Sequence, residues 1–445
     1  MNQIAIGDTT TWTVIHAHPA PAPCRDAAPF FKFSSDPEVS EHIRLELVGS
    51  AAQITALVSV LETIAQRAIQ HASGHYPHPQ YLRFQPESAG SYYYTPIKNL
   101  HLSSNPAGYK SRLTGSLLVN LHYTRPNYFD GDQVELPLTG ASGTDVTGGF
   151  NIVNHTDFHA ADGNTALIKP ANFATDLPAP LRIQFKNTFT GALFKDVLMG
   201  AYHHPTNQLD DIFFYGAGDM LGGLVLYDAA AIGGGFRRYT WTSSAWTYAT
   251  VFTVPNADSL LLDGRTYRPI LNLFNSHAYT DLYFKFTIRR GTDMIYASEP
   301  VYADPDFDYI IFPPVELPPN QLLRENAPHG FDVVFQALRV SGAATTIDID
   351  VTEFFPMGYA AFFKGFYTQA KDDILIYDNH RAMHNVRYGA AQNEILSHTL
   401  EGGPLHLFPG SYTRLFFNFY TSTNHRTSSH TAQIRAYYRP RKRLL

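Results

Sequence analysis

At 445 residues with a formal net charge of −6, 44% hydrophobic and only 16% charged residues, the chain has apolar content enough to fold and length enough for about three domains. The acidic balance removes the basic field that nucleic-acid binding requires, and no run approaches the roughly 18 apolar residues of a spanning helix, so neither nucleic acid nor membrane insertion is expected. Cys24 is the sole cysteine, so no intramolecular disulfide can form, and residues 1–10 lack a basic-then-apolar leader; folding in a reducing cytoplasm is the expectation.

Aromatic residues make up 14% of the chain, led by 31 Phe and 27 Tyr, and Gly and Pro number 31 and 29, the mixture of many short strands joined by tight turns. A mainly β fold follows. In chain order, Ile43, Leu45 and Leu47 alternate with Arg44 and Glu46 as a half-buried strand. A helix over 50–73 comes next, with Ser50 as N-cap, Gln53 as its capping-box partner, and Ile54, Leu57, Val58, Leu61, Ile64, Ala65, Ala68 and Ile69 at helical spacing before Gly74. Strands at 81–84 and 117–123 complete a small sheet carrying that helix, a first unit over 1–139.

The Gly-, Ser- and Thr-rich stretch 140–149 reads as a boundary. From 150 to 357 the alternation at Leu181, Ile183 and Phe185, at Leu282, Phe284, Phe286 and Ile288, and at Ile347, Ile349 and Val351 predicts a central β-sandwich or jelly roll. A third β unit spans 358–445, with strands at 374–377, 405–408, 415–419 and 434–438 and clean alternation at Leu415, Phe417 and Phe419. Its end carries Arg435, Arg439, Arg441, Lys442 and Arg443, which reads as a solvated basic tail or as one docked on an acidic neighbour.

Catalytic chemistry finds little support. There is no G-x-S-x-G elbow or phosphate loop, and Gly216, Gly218 and Gly222 read as turns. His155, Asp157 and His159 have the chemistry of metal ligands but lie in a loop-like stretch, as do the weaker pairs His16 with His18 and His203 with His204. Asp304, Asp306 and Asp308 match the first positions of a calcium loop, yet Tyr309 and Val315 stand where Gly and Glu are required, so an EF-hand is excluded and only a looser calcium site stays open. Asp210 with Asp211 and Asp372 with Asp373 are acid pairs whose members point to opposite faces of a strand. No cofactor, no metal and no enzymatic activity are expected.

The more informative cluster is Tyr239, Trp241, Trp246 and Tyr248, which holds two of the three tryptophans around Thr242, Ser243 and Ser244. The spacing predicts a hairpin with one aromatic pair on each strand. Aromatics ringed by hydroxyls suit stacking on sugar faces, although core packing of the sandwich is the first expectation for them.

The C-terminal stretches Asp372-Asp373-Ile374-Leu375-Ile376-Tyr377, Phe408-Pro409-Gly410, Leu415-Phe416-Phe417-Asn418-Phe419 and Tyr438-Arg439-Pro440-Arg441 resemble the end of siphophage distal tail proteins and related minor tail proteins. The N-terminal strand, helix and Leu121-His122-Tyr123-Thr124-Arg125 are similar too. Tyr412 departs from the family, which often has Asn there, and the central segment resembles jelly-roll carbohydrate-binding modules inserted into tail proteins. The resemblance implies a structural protein of the virion tail, a closed ring of copies, contacts with the tail tube, hub or fibre, and a central domain that meets host-surface glycan. A free-standing lectin-like protein and a polysaccharide-degrading enzyme are the alternatives.

Overall fold

The computed structural model describes all residues except 1, 9, 19–22, 32–35, 88–89, 105–115, 141, 155–162, 207–213, 255–265, 276, 291–292, 318–329, 357–359, 366–368, 380–382, 389–393, 397, 424, 427 and 444–445. The fold is mainly β, with antiparallel sheets and one long helix. It forms two compact units that interleave along the sequence: Met1–Val134 with Thr175–Ala179 and Arg439–Leu445, and Glu135–Ala174 with Pro180–Tyr438.

In the first unit a six-stranded sheet runs in the order Trp12–Ala17, Gln3–Gly7, Gln80–Gln85, Tyr93–Ile97, Phe129–Asp130 and Arg441–Lys442. A four-stranded sheet runs Cys24–Phe30, Glu38–Val48, Ser116–Pro126 and Asn99–Ser104. The helix spans Ala51–Ala72 with the full capping box of Ser50 and Gln53, and Gly74 beyond its end takes φ +77°. Leu61, Ile64, Ala65 and Ala68 are buried with Ile6, Leu45, Phe84 and Leu121 in one core, whereas Ile69 is exposed.

Alternation along Glu38–Val48 sends Val39, Ile43, Leu45 and Leu47 inward, and it sends Glu41 there too. A lone buried carboxylate would be costly, and Arg125 resolves it. Its Nε and Nη2 donate to the two Glu41 oxygens at 2.8 and 2.7 Å, Tyr123 donates to the same carboxylate at 3.1 Å, and the guanidinium lies 4.1 Å above the Phe129 ring. The basic tail is docked rather than solvated at Arg441, which pairs with Phe129–Asp130 and donates to Asp130 at 2.7 Å.

The second unit contains two sandwiches. In the first, a sheet built on Thr431–Tyr438, Ala179–Asn187 and Ile374–Asp378 faces a sheet built on Thr165–Ile168, Tyr412–Thr421, Phe194–His204 and Ala360–Gly365. Phe185 meets Phe419 between them, with ring centroids 5.2 Å apart. The segment 358–445, expected as a unit of its own, instead pairs strand by strand with 165–204. Separate alternating strands do not announce which partner completes their sheet.

The other sandwich is inserted between Phe194–His204 and Ala360–Gly365, which pair with each other. One sheet runs Leu224–Tyr227, Gly235–Trp241, Thr345–Pro356, Thr266–Leu273 and Tyr309–Ile311; the facing sheet runs Thr247–Val254, Phe331–Arg339, Leu282–Arg290 and Asp293–Ala297, with Val301–Tyr302 beside it. Tyr412–Thr421 is buried along nearly its whole length. Phe417 and Phe419 face Phe185 on one side, while Phe416 and Tyr420 join the core of the inserted sandwich on the other.

Replacing Glu41 by Ala leaves Arg125 buried without its counter-charge, and the expected loss is about 3–5 kcal/mol. Urea unfolding of the variant reads this as a lower midpoint; a loss below about 1 kcal/mol, the scale of an exposed pair, would refute the role assigned to this ion pair.

Candidate functional site

The outer face of the five-stranded sheet in the inserted sandwich gathers aromatic and polar side chains. Leu282, Phe284, Phe286 and Ile288 point into the core, so Tyr283 and Lys285 point out. The ladder places Tyr248 opposite Gln336 and Gln336 opposite Lys285 in one row. Leu338, Tyr283 and Tyr302 form the next. The Tyr283 and Tyr302 rings lie 5.5 Å apart, and the Lys285 ammonium lies 4.5 Å from the centre of the half-buried Trp246 ring. Tyr248 is 55% and Tyr302 42% exposed. Asp304, Asp306 and Asp281 surround Tyr302 and, with burial the larger cause, hold its phenol above the ordinary value.

Of the four aromatics singled out in the sequence, two belong to this face and two do not. Tyr239 and Trp241 are buried in the sandwich core, and the Tyr239 hydroxyl donates to Leu221 O at 2.9 Å and Thr250 Oγ1 at 2.8 Å. The expected hairpin does not form. Gly235–Trp241 pairs with Thr345–Pro356, while Thr247–Val254 pairs with Phe331–Arg339 in the opposite sheet. The exposed turn between them passes from one sheet to the other, and Tyr239 and Trp241 fill the space between sheets instead of lining a shared surface. Tyr283, Lys285, Gln336 and Tyr302 were missed, although the inward alternation of Leu282, Phe284, Phe286 and Ile288 already marks Tyr283 and Lys285 as outward.

A second polar concentration joins the two sandwiches and is fully buried. Arg426 donates through Nη1 to Glu353 and through Nε to Asn154 Oδ1 at 2.9 Å, and Asn418 donates to the other Glu353 oxygen. Asn272 donates to Glu353 at 3.3 Å and to Val351 O at 3.1 Å. Asp308 accepts from the Arg426 backbone at 3.0 Å, yet burial still pushes its carboxyl up to about 6. Asp350 accepts from the amides of Ile232 and Gly233 at 2.7 and 3.1 Å, and burial pushes it up to about 7. Glu353, Arg426, Asn154 and Asn418 tie the two sandwiches together, while Arg426 Nη2 and Asp308 Oδ1 are buried without a hydrogen-bond partner.

The remaining sequence candidates do not converge. His155, Asp157, His159, Asp210 and Asp211 lie outside the described residues. Asp304 accepts from the Asp306 amide at 3.0 Å in a local turn, while Asp308 is buried at the junction. Asp372 pairs with Lys186 at 2.7 Å, and Asp373 accepts from the Ala370 amide, also at 2.7 Å. His203 shares a hydrogen bond with Thr413 at 2.9 Å, and His204 bonds into its own turn. Burial pushes the Cys24 thiol up to about 11. Among the described residues no group of three or more His, Cys, Asp or Glu is arranged to hold a metal ion.

No family model matches the chain. No curated protein matches it. Among solved structures, the infectious bursal disease virus VP2 subviral particle is similar at 7% identity over 70% of this chain and 81% of that chain, with a TM-score of 0.16, which carries no argument about function.

Trp241→Ala is expected to cost about 3–5 kcal/mol as a buried aromatic truncation, whereas Tyr248→Ala should stay within about 0.5 kcal/mol. Equal effects in chemical unfolding would show that the division between core and outer face is drawn wrongly. The raised folded value of Asp350 against 3.8 for the unfolded chain means its stabilising contribution is full below about pH 4 and is lost as pH rises through about 7. Unfolding midpoints measured from pH 4 to 8 should therefore fall less steeply in Asp350→Asn than in the parent; an unchanged slope would contradict the assignment.

Proposed function

We propose that the protein is a non-catalytic structural component of a phage tail tip that closes into a ring of copies, contacts the tail tube, hub or fibre, and turns the inserted sandwich toward host-surface glycan. One observation carries the reading. The N-terminal strand, helix and strand and the closing Arg439-Pro440-Arg441, which resemble distal tail proteins, belong to one compact unit, with Glu38–Val48 and Ser116–Pro126 in its four-stranded sheet and Arg441–Lys442 in its six-stranded sheet, while the resembling stretches 372–377, 408–410 and 415–419 belong to the other unit. A sequence likeness divided between distant segments gains weight when those segments meet in one compact unit.

The glycan part rests on the outer face of Tyr248, Gln336, Lys285, Tyr283 and Tyr302. Tyrosine rings supply flat apolar area with a polar edge, and an amide and an ammonium between them supply hydrogen bonds to hydroxyls. Such sites are weak singly, and a ring presents several at once, which raises the effective affinity through avidity. The same face favours a second reading, a free-standing glycan-binding protein, which differs in requiring no ring.

Electron microscopy of the purified chain, with sizing at micromolar concentration, separates the two readings. Closed rings are expected, and a strictly monomeric chain that still binds glycan would favour the lectin. In affinity electrophoresis against host-wall polysaccharide, Tyr248→Ala with Tyr302→Ala should lose retardation while ring formation and unfolding midpoint hold. Undiminished retardation in that variant would remove the outer face from the proposal.

A further inference from the structure

We propose that the imidazoles of His42, His122 and His101 form a proton-operated release for the edge strand Asn99–Ser104, which parts from Ser116–Pro126 when the row takes up charge. The inference depends on neither the ring nor the glycan reading.

The three side chains stand in one row across the four-stranded sheet of the first unit. Alternation sends Ile43, Leu121 and Leu100 into the core, so His42, His122 and His101, one position away on each strand, leave by the opposite face. The ladder puts His42 directly opposite His122, and His122 directly opposite His101. Phe30, opposite His42, completes the row at the other edge. Ring centroids are 4.6 Å apart from Phe30 to His42, 5.5 Å from His42 to His122, and 5.0 Å from His122 to His101, the last pair with an interplanar angle of 9°. His122 Nε2 shares a hydrogen bond with Ser103 Oγ at 2.9 Å, which ties the central ring to the edge strand.

Such a row is favourable only while it is uncharged. Neutral rings stack, whereas like charges directly opposite one another destabilise a strand pair. Among the described residues no carboxylate stands in the row or in the row on either side of it. The next row in one direction holds Ala28, Arg44, Asn120 and Ser103, so its one charge has the sign of a protonated imidazole. Asp26 and Glu46 lie a row further, Glu46 paired with Arg25 at 3.7 Å. In the other direction come Ser40, Thr124 and Asn99, and only then Glu38, which is paired with Lys98. Cys24, Glu41, Tyr123 and Arg125 face the core, and Glu62, Arg67 and His71 belong to the helix on that side of the sheet. Burial first, and then the charges of His101 and His42, hold the His122 imidazole below the ordinary 6.5.

A histidine whose folded value is depressed contributes stability that is full above the unfolded value near 6.5 and is lost as pH falls through the folded value. The strand that yields is Asn99–Ser104. It ends the sheet and pairs with Ser116–Pro126 alone among the described strands, and it carries the exposed ring of the row. His42 and His122 sit on strands paired on both sides. Parting the edge strand is therefore the backbone movement that separates the charges.

The test is hydrogen exchange on the full chain, in buffer with EDTA to keep metal ions off the imidazoles, with amide protection factors compared at pH 7.5 and 5.0. Amides of Asn99–Ser104 should lose roughly tenfold in protection at pH 5.0, at up to about fivefold for each charged pair. Gln80–Gln85, in the other sheet of the same unit, should hold its protection and serves as the reference. His122→Phe keeps a ring in the middle of the row without its charge and should hold the edge at both pH values. His101→Gln, at an exposed position, should do the same by removing the outer charge. The proposal is overturned if the parent edge is equally protected at both pH values, because the rings then turn aside without moving the strand. It is also overturned if Gln80–Gln85 loses protection to the same extent, or if both variants lose it as the parent does.

Discussion

The second unit depends on how one guanidinium is held. Arg426 is buried where two sandwiches meet, and three buried carboxylates, Asp308, Asp350 and Glu353, interact with it. Charge in such a place is costly unless each oxygen and each N–H finds a partner. Glu353 comes from the inserted sandwich, whereas Asn154, Asn418 and Arg426 come from the sandwich that carries it. The hydrogen bonds among them are directional, so the insertion meets its carrier in one orientation where apolar packing alone would tolerate several. Burial raises both Asp308 and Asp350, and the charge of Arg426 offsets part of the rise in each.

The strand Tyr412–Thr421 makes that junction possible. Successive side chains leave a strand on opposite faces, so a strand with both faces covered must be apolar throughout. Leu415, Phe416, Phe417, Phe419 and Tyr420 meet that condition; Thr413, Arg414, Asn418 and Thr421 are its buried polar residues, and the Asn418 amide serves Glu353 and Asn164. A single strand thereby belongs to two cores at once. It pairs with Phe194–His204, the strand that leads into the insertion.

Local rules were legible in the sequence and long-range ones were not. The helix could be read almost residue by residue, because Ser50, Gln53 and the apolar stripe act within a few turns of one another. Alternation named the strands but left their partners open, since Ala179–Asn187 pairs with Thr431–Tyr438 across the whole insertion. Trp241 and Trp246 looked like neighbours on a hairpin for a related reason. A short polar turn is compatible with strands that pair and equally with strands that part to opposite sheets, and only the competing partners, Thr345–Pro356 and Phe331–Arg339, decide between them. The Leu415 to Tyr420 run could have been read differently, because its apolar character, interrupted there by Asn418 alone, signals burial on both faces.

The place of Arg441 has a consequence for the order in which the molecule is made. Its partner Asp130 lies 311 positions earlier, yet the two are adjacent in one sheet of the first unit. At translation rates of about 5–20 residues per second, the earlier strand waits roughly 15–60 s for its neighbour to leave the ribosome. During that interval Asp130 has no guanidinium beside it, and the second unit can fold before the first is closed. A nascent chain of this protein therefore completes this sheet only after the whole second unit has been synthesised.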